Sequence, residues 1–228
     1  MCFSAAGSFA LSGILGGVGA TSLARTSSRP HRLFAAVPLV FAAQQATEGI
    51  VWLTMADPIS SLHRLAVITF LGFALVVWPF WVPLSVRMME RAPTRRRVLT
   101  GLSWFGGLVG VSAALLLSRW QPVASVAGHR IRYDYAGPDD GPTHFLLLVA
   151  YAVSVVLPLF VSTAKLSRTI GVVLVLSVLI TASIERDAFT SVWCFFAAII
   201  SGLIAVAVDR DQRSRSGPLA EQMSPARS

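Results

Sequence analysis

Seven apolar runs, each close to the length of a bilayer crossing, constrain this chain more than any other feature. They cover about 3–24, 33–55, 65–86, 98–118, 145–164, 169–184 and 188–208, the sixth being the shortest. Hydrocarbon offers no partner to a backbone N–H or C=O, so each run is expected to satisfy its own polar groups as a helix. Composition agrees: 13% of the 228 residues are charged and 54% hydrophobic, against about 25% charged in a soluble domain. The expected fold class is all-α, a polytopic membrane protein. One seven-helix bundle would span 1–208, and a polar Ser/Pro/Arg tail at 209–228 is expected to be disordered.

The basic residues orient the bundle. Arg25, Arg29 and Arg32, then Arg87, Arg91, Arg95, Arg96 and Arg97, then Lys165 and Arg168, then the tail arginines 210, 213, 215 and 227 all fall on one side. That side holds fourteen, and the other holds five: Arg64, Arg119, Arg130, Arg132 and Arg186. The positive-inside rule places the fourteen in the cytoplasm, with the N-terminus outside and the C-terminus inside. The expected location is a bacterial inner (cytoplasmic) membrane, because 18 of the 19 basic residues are arginine, as a GC-rich coding bias would give. These arginines are spread over short loops, so the high net charge of +8 does not point to nucleic acid. The first run lacks a basic leader and is expected to remain as a helix. The longest loop, 119–144, lies outside and reads as a connector or a binding loop.

Glu48 is the one acid inside a run, and an ionisable residue there marks a functional site by default. Counting up from Leu33 at 1.5 Å per residue puts it about 22 Å into a core of about 30 Å, hence in the outer third. Gln44, Gln45 and Trp52 share its helix face at spacings of three and four. The first and seventh runs descend from the same side. They bring Cys2, Ser4 and Ser8, and Trp193 and Cys194, to similar depth. The candidate pocket is therefore Glu48, Gln44, Gln45, Cys2, Ser4, Trp52, Trp193 and Cys194. Two cysteines make no disulfide framework. Cys2, Glu48 and Cys194 are weak candidates for a soft or borderline metal such as copper or zinc, since no two show a metal-site spacing. The plain alternative is that the amides and the carboxyl only join helices. The histidines lie at run ends or in loops, where solvated histidine is the default.

Met1-Cys2-Phe3-Ser4-Ala5, Gln44-Gln45-Ala46-Thr47-Glu48-Gly49 and Ser191-Val192-Trp193-Cys194-Phe195-Phe196 together resemble an uncharacterised family of bacterial multi-pass integral membrane proteins beginning Met-Cys-Phe-Ser-Ala. That resemblance implies an architecture and no activity. A retinal-bearing lysine in the seventh run, an HxxxH zinc motif on the last helix, a P-loop and a GxSxG elbow are all missing. The expected partners are the lipid bilayer and a small ligand or metal ion, in a transport or sensing role. A membrane-embedded enzyme using Glu48 with a cysteine, or a structural subunit, are the alternatives.

Overall fold

A computed structural model describes residues 4–128, 130–134, 141–184 and 198–206. Its helices are α1 (Ala5–Arg25), α2 (Arg29–Thr54), α3 (Ser61–Met89), α4 (Pro93–Arg119), α5 (Gly141–Val161) and α6 (Lys165–Ile184), and residues 198–206 are helical as well. The first four are long and apolar enough to cross a membrane; α5 and α6 carry shorter apolar stretches, Phe145–Val161 and Leu166–Leu179. Of the seventh expected run, 188–197 and 207–208 lie outside the described residues, as does the tail.

One apolar cluster ties these helices together. Leu15 of α1, Phe41 of α2, Trp78 of α3, Leu99 of α4, Leu159 of α5 and Leu174 of α6 are all buried in it, with Ile200 and Ile204 of segment 198–206. The antiparallel α1–α2 pair is closely seated. Ser12 Oγ donates to Ala42 O at 2.8 Å, and a side chain on Gly19 or Gly49 would collide with Leu39 or the Phe9 ring. Gly13 and Gly17, a GxxxG pair, face open space instead.

Helix α3 is irregular because of its prolines. It runs as an α-helix over Ser61–Leu71, widens to a π-helix over Gly72–Val77, and resumes as an α-helix over Trp78–Met89. Pro79 has no N–H for the carbonyls a turn back. One of them, Ala74 O, accepts instead from Tyr151 Oη of α5 at 2.8 Å. Pro83 likewise leaves Pro79 O without its helical donor, and there Gly106 of α4 comes so close that an added Cβ would lie 1.8 Å from that oxygen. Gly110, one turn on, sits in the same way over Val76 O. The Gly106/Gly110 pair therefore packs within the chain, onto Pro79 O, freed by Pro83, and Val76 O of the π segment, in the kind of approach where weak Cα–H···O contacts recur.

The all-helical expectation needs one correction. The long loop contains an antiparallel hairpin, β1 (Val123–Ala127) paired with β2 (Arg130–Asp134), Ala124 opposite Tyr133 and Val126 opposite Ile131. Gly128, directly after β1, has φ 64°, the left-handed conformation that tight hairpins need. Ala124 and Ile131 are buried with Val51, Val67, Phe70 and Leu117, and the Tyr133 ring stacks on Phe70 at 5.0 Å. The hairpin thus closes the end of the bundle formed by α2, α3 and α4.

Three substitutions test the packing of α3. Gly106→Ala should cost about 1–3 kcal/mol by overpacking, whereas Gly107→Ala, whose Cβ would meet Phe80 at an ordinary 3.7 Å, should be nearly neutral. Tyr151→Phe should cost about 1–3 kcal/mol by orphaning a buried carbonyl. Equilibrium unfolding in detergent micelles reads all three, and equal losses at Gly106 and Gly107 would contradict this packing.

Candidate functional site

Gln44, Gln45 and Glu48 stand on the inward face of α2 and are 2%, 1% and 1% exposed. Their spacing brings them there. Residues 41, 44, 45, 48 and 51 follow the helical repeat, all five are buried, and Trp52 beside them is half-buried. A buried amide oxygen needs a donor, and Gln44 Oε1 receives one from Trp78 Nε1 of α3 at 2.8 Å. The Trp78 indole is itself 2% exposed and lies against Phe41, with ring centroids 4.1 Å apart. Gln45, Glu48 and Trp52 each engage a neighbouring group as well.

The other expected members are placed less uniformly. Ser4 is exposed, and its Oγ caps α1 by accepting from the Gly7 N–H at 3.1 Å. Ser8, four residues on, is fully buried on the face of α1 that meets α2, and its hydroxyl has no partner among the described residues. Cys2, Trp193 and Cys194 lie outside the described residues. Among the described residues no three His, Cys, Asp or Glu side chains gather to hold a metal, and two of the three metal candidates are not among them. Beside Trp78 there is a cavity of about 50 Å³ lined by Phe34, Val37, Phe41, Val82, Leu159 and Ile204 among others. Its almost wholly apolar wall suits no charged ligand.

Three groups escaped the reading of the sequence. Trp78 is buried at the heart of the bundle, and its position directly before Pro79, where α3 is broken, is the one signal that sets it apart in the sequence. His63 is buried at 3% exposure rather than solvated; the turn between α2 and α3 is short enough for its Nδ1 to lie 3.0 Å from Thr54 Oγ1. Glu90 is the acid among the arginines of the α3–α4 loop, and it is 4% exposed. Its Oε1 accepts from the N–H groups of Arg91 and Ala92, each at 3.0 Å, and its Oε2 accepts from the Thr163 N–H at 2.7 Å, with the Thr163 hydroxyl donating too. Arg95 Nη1 adds a bond to Val161 O at 3.1 Å. Glu90 thus ties the α3–α4 loop to the α5–α6 turn, and its one legible signal was being a lone acid in a basic loop.

Burial works to raise the Glu90 pKa, but the N–H groups of Ala92 and Thr163, the Thr163 hydroxyl and the Arg91 N–H outweigh it and hold the carboxyl below its usual 4.5. A lowered folded-state pKa stabilises the fold above the unfolded value, and that contribution is lost as pH falls through the folded value. The stability gap between wild type and Glu90→Gln should therefore be full near neutrality and close as the medium is acidified below about 4.5. Thermal unfolding across that range checks it; a gap that widens in acid would refute the assignment.

Comparison with curated proteins and with solved structures gives no match. The profile of a family of unknown function, DUF6629, matches residues 1–219. That match takes in the three motifs that carried the resemblance as well as the buried face of α2. The chain belongs to the DUF6629 family, whose function is unknown.

Proposed function

We propose that this chain is a seven-helix protein of the bacterial inner membrane, N-terminus outside and C-terminus in the cytoplasm, that binds a small ligand or metal ion around Glu48 in a transport or sensing role. The observation that carries the reading is the burial of Gln44, Gln45 and Glu48 together on one face of α2, a helix apolar enough to cross a membrane. A carboxyl and two amides cost several kcal/mol to hold there unless they are paired, and such groups mark ligand or ion paths by default. Ser8, buried on the facing side of α1 with a hydroxyl that has no partner among the described residues, offers a further oxygen near this level. Cys2, Trp193 and Cys194 complete the proposed pocket, and two thiols would favour copper or zinc over a hard cation.

The Gln44–Trp78 bond favours a second reading, in which the polar face chiefly joins helices. The two readings separate on Glu48→Gln, which keeps shape and hydrogen bonding but removes the charge. Zinc and copper analysis of the detergent-purified protein is one arm, and its thermal stabilisation by added Zn²⁺ or Cu⁺ is the other. A ligand at a hundred times its Kd stabilises by about 2.7 kcal/mol. Binding predicts that wild type shows bound metal or such a shift and that Glu48→Gln loses it. A metal-free wild type with no shift, and a Glu48→Gln variant of unchanged stability, would leave the helix-joining reading.

A further inference from the structure

The outward face of α4 carries residues at alternating spacings of four and three: Arg97, Gly101, Trp104, Leu108, Val111 and Leu115. Trp104 is 78% exposed, and Leu108, Val111 and Leu115 are each more than half exposed. In a membrane this is a lipid-facing line, and its upper end is not plain. Nothing lies within 4 Å of where a side chain on Gly101 would begin, so the glycine is a notch between Arg97 and Trp104. Helical side chains lean toward the helix N-terminus, a direction that runs from Trp104 past Gly101 toward Arg97. The indole N–H has no acceptor among the described residues, and an indole at an apolar surface places its N–H where a polar group can meet it. Arg97 stands about 10 Å above Trp104 along the axis. That drop leads from a headgroup zone some 5–7 Å deep to the edge of the hydrocarbon.

Charge selects the lipid. Arg91, Arg96 and Arg97 are exposed around the start of α4, and its first turn contains no acid. The nearest acid, Glu90, is turned inward and its oxygens are taken by Arg91, Ala92 and Thr163. Among the described residues no acid pairs with Arg96 or Arg97, which suits this surface to an outside anion. Resting on the membrane placement of α4, we infer that Arg97, Gly101 and Trp104 form a binding site for an anionic phospholipid. Arg97 takes the phosphate, the Trp104 N–H takes an ester or phosphate oxygen, and an acyl chain passes through the Gly101 notch onto Leu108.

The test uses the full chain in phosphatidylcholine nanodiscs carrying a small, equal fraction of either phosphatidylglycerol or phosphatidylcholine with brominated acyl chains. The Trp104 emission is isolated by subtracting the Trp104→Phe signal. Brominated phosphatidylglycerol should quench it at about fivefold lower mole fraction than brominated phosphatidylcholine, the factor that one interfacial basic residue supplies. Arg97→Gln should bring the two lipids to parity, and Arg97→Lys should keep most of the preference. Equal quenching in wild type, or a preference unaltered by Arg97→Gln, would overturn the site. Disulfide-linked dimers of Gly101→Cys, made in a Cys2→Ser, Cys194→Ser background, would show that a second copy and not lipid covers this face. Absence of quenching by either lipid would instead remove the membrane placement of α4 itself.

Discussion

The hydrogen bond from Trp78 to Gln44 fixes how α2 and α3 face one another, and the polar site depends on that facing. An indole sealed inside a bundle has to find an acceptor, and an amide oxygen has to find a donor. Each is the other's answer, at 2.8 Å. With Gln44 held against α3, the helical repeat leaves Gln45 and Glu48 facing inward too. The Phe41 ring, on the same face of α2, packs on the indole and supports that rotation of α2.

Trp78 reaches that position because α3 is not a regular helix. The π segment ends one residue before it, and the two prolines that follow leave carbonyls without helical donors. In a bilayer such carbonyls must be covered by neighbours. Tyr151 covers one with a hydroxyl, and Gly106 approaches the other with its bare Cα, which draws α5 and α4 onto α3. The polar face of α2 then lies between two apolar clusters. One is shared by all the helices, and the other is capped by the hairpin. At the opposite end Glu90 fastens two loops with its carboxylate. These are the sources of rigidity around a costly polar group.

The helices were legible in the sequence because the length of an apolar run and the demand for internal hydrogen bonding leave few alternatives. The inward turn of Gln44, Gln45 and Glu48 was legible for a related reason: polar residues three and four apart in an apolar helix share a side, and lipid is the worse side. Other features depend on partners far away in the chain. Trp78 meets Gln44 across 34 positions and Glu90 meets Thr163 across 73, and neither pairing has a local signature. The hairpin was hidden because, among its residues whose burial is described, Ala124 and Ile131 alone are buried, so its alternation is faint. Ser4 was grouped with the site by depth alone, and a residue at the right depth can still serve as a helix cap. Depth is readable from residue counts; azimuth is set by packing.

The most direct measurement of this account is a double-mutant cycle between Gln44→Leu and Trp78→Phe, read by reversible unfolding in lipid–detergent micelles. Either single change strands a buried polar atom, whereas the double change removes both, so the losses should not add. A coupling of about 1 kcal/mol or more, with the double variant more stable than the summed singles imply, is the result expected for a buried interhelical bond. Losses that add to within about 0.5 kcal/mol would mean that the indole and the amide do not meet. The facing of α2, and with it the inward placement of Glu48, would then be wrong.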